Sequence, residues 1–192
     1  MIYRLLAILA MLLFYGVYLG KLFAQKKQGI KTNQIAKGEK QKSVYRTERI
    51  MGAATYSVLI AQLVSIVFDY NWMPPNARFS GFCVAILGDI TFAISVWTMK
   101  DSWRAGIPER DQTHLVSDGI YRYSRNPAFL GFDFMYIGVL IMFFNPLTLV
   151  FTLFAMVMLH LQILQEEAFL EKRFGAEYIQ YKQTVFRYLG RR

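Results

Sequence analysis

The sequence predicts an all-α, polytopic membrane protein with five transmembrane helices. Two observations predict it: five apolar runs recur along the 192 residues, and nearly all Lys and Arg residues gather in three blocks between or after those runs. Hydrophobic residues make up 55% of the chain and charged residues only 18%, below the roughly 25% of ordinary soluble domains. Disordered and collagen-like classes are excluded by the same numbers. A single cysteine, Cys83, excludes an intramolecular disulfide framework and a cysteine-based zinc site.

The first run, Ile2 to Ala24, carries charge only at Arg4 and Lys21, near its ends, where long basic side chains can reach the headgroups. Its length exceeds the roughly 7–15 apolar residues of a signal-peptide core, and no small-residue cleavage site precedes the lysines. Ile50 to Tyr70 and Phe79 to Met99 follow as a helical hairpin, broken at Pro74-Pro75. Phe129 to Phe144 is the fourth run and Leu147 to Leu164 the fifth, separated by Asn145-Pro146. At 16 residues the fourth rises only about 24 Å, so it must extend, thin the bilayer or shelter among its neighbours.

Lys21 to Arg49 holds nine Lys/Arg, Lys100 to Arg125 five and the tail from Lys172 six, leaving only Arg4 and Arg78 elsewhere. With five spans these blocks share one side, which the positive-inside rule makes cytosolic, so the N-terminus is expected outside and the C-terminus inside. The net charge of +9 is then explained by topology and attraction to anionic lipid, and no nucleic-acid motif accompanies it. Residues 26–42 read as a polar, mobile segment without chemistry. In the tail, Leu170, Phe174, Tyr178, Tyr181, Val185 and Tyr188 recur on one helix face, interrupted by Gly175, which predicts a break after the fifth span and then an interfacial helix.

Ionisable residues within or beside spans carry a functional expectation, and here they are Asp89, Asp133, His160, Glu166 and Glu167. His160 and Glu167 lie on roughly one face, but a single histidine near two carboxylates, with no HExxH spacing, does not make a metal site, and no metal is expected. Asp118-Gly119 reads as a tight turn. Asn126-Pro127 matches an N-cap followed by Pro at the first helical position. That helix N-terminus, flanked by Arg122 and Arg125, would suit an anionic ligand.

The string from Thr113 to Gly131, with Leu115-Val116, Gly119, Tyr121 and then Arg125-Asn126-Pro127, Phe129 and Gly131, resembles the isoprenylcysteine carboxyl methyltransferase family. A second block, Glu166-Glu167 and Leu170 followed by Phe174-Gly175, Tyr178 and Tyr181, resembles the same family. The short length suggests a prokaryotic member. The resemblance implies an integral membrane enzyme that takes methyl groups from S-adenosylmethionine and releases S-adenosylhomocysteine on the cytosolic side. Thr113, His114, Leu115, Val116 and Gly119 would line the cofactor, Tyr121 would contact it, and Asn126, Pro127, Ala128 and Phe129 would close the pocket. Glu166 or Glu167 would stand between cofactor and acceptor, and Arg125 or Arg104 would orient an acceptor carboxylate. The chain then divides into residues 1–99, three spans with a basic loop at 25–49, and residues 100–192, the catalytic region. The latter comprises a cofactor loop at 100–128, spans at 129–144 and 147–165, and a cytosolic C-terminal helix over 166–192.

Asn126 stands where the family pattern has His, Phe129 where it has Tyr, and Gln162 where eukaryotic members place an Arg before the first glutamate. The implied acceptor is the carboxylate of a prenylated or otherwise lipidic, isoprenylcysteine-like molecule reached from the bilayer. Three other readings remain open at this stage: a phospholipid amine N-methyltransferase, a membrane sterol reductase using a nicotinamide cofactor, and a non-enzymatic scaffold or channel subunit.

Overall fold

In an apolar run that must satisfy its own backbone, helix is the available solution. The computed structural model describes residues 1–108 and 114–191 and bears this out. Among the described residues the α-helices are α1 (Ile2–Lys27), α2 (Lys42–Val67), α3 (Pro75–Met99), α4 (Pro127–Met142), α5 (Pro146–Phe174) and α6 (Ala176–Thr184), with 3₁₀ turns at Lys100–Ser102 and Gly119–Arg122. Extended pairing there is limited to two isolated bridges, Asn33 with Ala105 and Val185 with Arg191. Helices α1, α2, α3 and α5 are long and apolar enough to cross a membrane by length and composition, whereas α4 has only 16 residues.

Two helices run beyond their apolar stretches. Helix α2 starts at Lys42 inside the basic segment, and α5 continues through Glu166 and Glu167 to Phe174. The tail helix is therefore not continuous from 166: Gly175, at φ +55°, turns the chain, and α6 follows it. The expected hairpin of α2 and α3 is corrected too. Their connection is short, yet α2 packs mainly on α5, and α3 on α4 and α1.

The α3–α4 contact is the most extensive in the molecule, and glycine makes it possible. Gly81 and Gly88 on α3, and Gly131 and Gly138 on α4, are each two turns apart and so share a helix face. A Cβ on Gly81 would sit 2.7 Å from the Gly138 carbonyl oxygen, and one on Gly138 only 2.3 Å from the Ala85 nitrogen. One on Gly88 would lie 2.5 Å from the Met135 nitrogen, and one on Gly131 2.8 Å from the Phe92 nitrogen. The two backbones thus touch, the mode of packing that lets helices associate where lipid removes the hydrophobic drive. Short α4 is sheltered along α3 in this way.

Both ends of the bundle are tied. At the end away from the basic blocks, Asn145 caps α5 by accepting from the Thr148 N–H at 3.1 Å, and its Nδ2 donates to Ser65 Oγ at 2.9 Å and the Tyr70 carbonyl at 2.8 Å. Arg78 pairs with Asp69 at 2.8 Å and lies over the rings of Tyr3 and Phe143. At the basic end, residues 26–42 were expected to be mobile, but they follow a path anchored to the α3–α4 connection. The Gln34 N–H donates to the Ala105 carbonyl at 2.8 Å, the Ala105 N–H to Thr32 at 3.0 Å, and Gln25 Nε2 to Lys100 at 3.3 Å.

Candidate functional site

A cavity at the basic end is walled by the turn after α3, by the loop leading into α4, by the end of α5 and by α6. Of the candidate site residues singled out by sequence, Arg104, His114, Leu115, Val116, Tyr121, Arg125, Asn126, Ala128, Phe129 and Glu166 line it. Gly119 and Pro127 do not: Gly119, at φ +56°, lets the loop turn beneath Thr98, and Pro127 opens α4. Thr113 lies outside the described residues. Segments far apart in sequence therefore converge on one space, and two neighbouring glutamates on α5 separate into different environments.

Glu167 is turned away from the cavity and into a buried ionic cluster. Its Oε1 accepts from Arg125 Nε at 3.2 Å, Arg125 Nη2 at 3.0 Å and Asn126 Nδ2 at 2.9 Å. Its Oε2 accepts from Arg187 Nε at 3.2 Å and Nη2 at 3.0 Å, and from Arg125 Nη2 at 3.1 Å. Arg125 has no donor left for an acceptor carboxylate, because its Nη1 is shared between the carbonyls of Lys182 at 3.0 Å and Val185 at 3.1 Å. The expectation that Arg125 orients an acceptor is corrected accordingly: its five N–H bonds tie α5, α6 and the start of α4 together. The hydrogen bond to Glu167 holds Arg187 above its ordinary range.

Asn126 also departs from expectation. It occupies the N-cap position of α4 without a side-chain capping bond. Its amide donates instead to Glu167 and, at 3.2 Å, to the Arg187 carbonyl. The Glu167 carboxylate needs only a donor opposite it, and the amide supplies one without a titratable group.

Glu166 faces the cavity. Gln162 Nε2 donates to its Oε1 at 2.9 Å from one turn earlier in the same helix, so Gln162 orients this side chain. Around it the lining is largely aromatic and aliphatic, including Trp103, Phe129, Phe169, Phe174, Tyr178 and Tyr181. Burial raises the hydroxyls of Tyr121, Tyr178 and Tyr181 well above the ordinary range, so they stay neutral. Tyr181 donates to the Tyr121 carbonyl at 2.6 Å, while the buried Tyr178 hydroxyl has no hydrogen-bond partner among the described residues.

The apolar tail stripe expected to anchor in the membrane does something else. Tyr178, Tyr181 and Val185 form a small core against Leu115, Leu170 and Phe174, which brings α6 onto the α4 loop. Tyr188 leaves that stripe and stacks on His160, whose Nδ1 meets its hydroxyl. His160 is thus partnered by Tyr188 and not by Glu167. Asp89 and Asp133 are not among the cavity-lining residues. Among the described residues no group of three or more His, Cys, Asp and Glu side chains is arranged to hold a metal ion.

Trp103, Gly106, Ile107 and Pro108 line the cavity but carried no sequence signal, since they lie in a turn without a motif.

Comparison with known proteins finds similarity over much of this region. Residues 81–172 match the family model described as isoprenylcysteine carboxyl methyltransferase (ICMT) family. The chain is 33% identical over 122 residues to protein-S-isoprenylcysteine O-methyltransferase of Saccharomyces cerevisiae, covering 62% of this chain and 51% of that protein. It is 35% identical over 108 residues to a probable protein-S-isoprenylcysteine O-methyltransferase of Oryza sativa subsp. indica, covering 55% and 56%. A third, from Tribolium castaneum, is 32% identical over 108 residues, covering 55% and 38%. The chain spans about half the length of the first two relatives. All three are eukaryotic, so the expectation of a prokaryotic member is not borne out by them. Residues 81–172, which carry the α3–α4 seam, the α4 loop and the glutamate pair, are thus the part of this chain that is similar to the isoprenylcysteine carboxyl methyltransferase family.

Proposed function

We propose that this chain is an integral membrane methyltransferase that binds S-adenosylmethionine in the cavity at its basic end and methylates the carboxylate of a lipidic, isoprenylcysteine-like acceptor. The observation that carries the reading is the convergence of the 114–129 loop, α5 and α6 on one aromatic cavity with a single outward-turned glutamate, Glu166. The residues fit such a donor: a carboxylate complements a sulfonium, aromatic faces suit a purine, and the unpartnered Tyr178 hydroxyl offers a hydrogen bond. When bound, the donor supplies an electrophilic methyl group on a positively charged sulfur.

The chain's own residues then supply position and dryness. A carboxylate acceptor is already ionised, so making the new O–C bond as the C–S bond breaks needs no general base. It needs in-line alignment in a place that excludes water. Gln162 fixes Glu166, the Glu167 cluster fixes the loop that carries Tyr121 and Asn126, and the Tyr178–Tyr181–Leu115 core keeps that wall apolar. The positive-inside rule places the basic end, and with it the cavity, in the cytosol, where a water-soluble donor is available. All five hydrophobic helices, α4 included through its shelter along α3, are taken to lie in the bilayer, and the acceptor arrives from that side.

The test is a transfer assay on the protein in lipid nanodiscs, with methyl-labelled donor offered an S-farnesylcysteine derivative and, separately, phosphatidylethanolamine. A base-labile methyl ester on the farnesylcysteine is the expected product. A base-stable N-methyl product from the phospholipid would replace the reading with amine methylation. No transfer to either, with no donor binding, would leave a non-enzymatic scaffold.

A further inference from the structure

Outside the stretch that matches the family, a second buried ion pair stands behind the cavity. Glu48, near the start of α2, is fully buried. Its Oε1 accepts from the Ile107 N–H at 2.9 Å and its Oε2 from the Ala36 N–H at 2.6 Å. Lys40 Nζ reaches both oxygens, at 2.9 Å and 2.6 Å, with its side chain only 4% exposed, and donates a third bond to the Gln34 carbonyl at 2.6 Å. All three donors of the ammonium are used in this way.

The pair joins two loops that have no sequence relation. One is the 28–41 segment, and the other is the turn at 103–108 whose Trp103, Gly106, Ile107 and Pro108 wall the cavity. The loops touch closely: Gly106 is at φ +87°, and a Cβ there would lie 2.9 Å from the Ile35 nitrogen. Burial raises Glu166 to about 7, and the charges of Glu48 and Lys40 act on it in opposite directions. A buried ion pair contributes little net stability over an apolar substitute of the same shape, because both charges lose their water. What this one does contribute is a fixed position for the Ile107 N–H, and hence for a wall of the cavity.

We propose that Glu48, clamped by Lys40, is a positioning residue of the donor site: it sets the 103–108 wall through the Ile107 N–H, making the N-terminal half part of the site. The inference rests on the reading of the cavity as a donor site. Its signature is selective, since a displaced wall weakens the donor and leaves the acceptor, which comes from the bilayer, unaffected.

The experiment uses the full chain in nanodiscs, calorimetric titration with S-adenosylhomocysteine, and steady-state KM values for donor and acceptor. Two paired variants avoid a stranded charge. Glu48→Gln with Lys40→Met keeps an amide oxygen for the Ile107 N–H, and its S-adenosylhomocysteine affinity is expected to stay within about threefold of the parent. Glu48→Ala with Lys40→Met removes that acceptor and is expected to weaken binding about tenfold or more, with the donor KM rising in step and the acceptor KM unchanged. A folded alanine variant with parental affinity, or equal losses in both KM values, would overturn the proposal. An unmodified protein that binds no S-adenosylhomocysteine would overturn the donor-site reading itself, and this inference with it. A second readout needs no variant: saturating S-adenosylhomocysteine should slow hydrogen exchange of the Ile107 amide, and unchanged exchange in a protein that binds the ligand contradicts the proposal.

Discussion

At the α3–α4 seam two helices meet through their backbones, with no side chain between Gly81 and Gly138 or between Gly88 and Gly131. At the basic end the same α4 is joined to α5 by the opposite device, a carboxylate, two guanidinium groups and an amide converging on Glu167. In the proposed bilayer placement the difference follows from solvent. Within lipid, association gains from close approach and dispersion, and polar groups are costly; at an interface, charges keep partial hydration and can fix direction as well as distance. The seam therefore holds α4 against α3, and the ionic cluster aims the loop that precedes it. Neither device can replace the other, which makes their separate failure a sharp experiment.

The largest effect is expected at the seam. Gly138→Leu places a branched side chain where even a Cβ would be 2.3 Å from the Ala85 nitrogen, and backbone cannot yield as a flexible side chain can. Loss of monodisperse folded protein on size-exclusion chromatography is the expected outcome. A well-folded Gly138→Leu protein would break the comparison on the side of the seam.

Next comes the ionic cluster. Glu167→Gln leaves Arg125, whose side chain is 6% exposed, with a buried charge opposed by nothing, and a destabilisation of about 3–5 kcal/mol is expected in detergent unfolding. The Asn126→Ala change removes two hydrogen bonds from the same cluster without stranding a charge, for about 1–2 kcal/mol. The smallest effect separates glycines by environment. Gly16→Ala and Gly20→Ala on α1 meet nothing within 4 Å, so the thermal midpoint should hold or rise slightly, as expected for better helix propensity worth up to about 1 kcal/mol. A collapse at Gly16 like that at Gly138 would show that helical glycine, rather than close approach, was being tested.

Much of this molecule was legible in its residues. The apolar runs located the long helices, Asn145-Pro146 and Pro74-Pro75 marked helix starts, and the two ordered motif blocks brought nine of the anticipated residues to one cavity. The seam was written in the sequence too, as two glycine pairs with the same spacing, but small residues carry no charge or periodic hydrophobicity to draw notice. Three features had no local signal. Asn126 looked like a cap because a cap needs only its neighbours, whereas its actual partner is Glu167 on another helix. Glu166 and Glu167 are adjacent and chemically alike, and only the helix rotation relative to Arg125 and Arg187 tells them apart. Glu48 sits between Arg46 and Arg49 in a basic stretch, where a lone acid reads as solvated, yet it is fully buried against Lys40.

The central claim is that neighbouring glutamates divide the labour, Glu166 serving the donor and Glu167 the scaffold. Calorimetric titration of S-adenosylhomocysteine into Glu166→Gln and Glu167→Gln proteins, each paired with a thermal unfolding curve, tests it most directly. The account predicts that Glu166→Gln keeps the parental unfolding midpoint while losing affinity or transfer rate by about 10²-fold, and that Glu167→Gln unfolds far earlier. The reverse pattern, a stable Glu167→Gln that cannot bind beside an unstable Glu166→Gln that can, would contradict it.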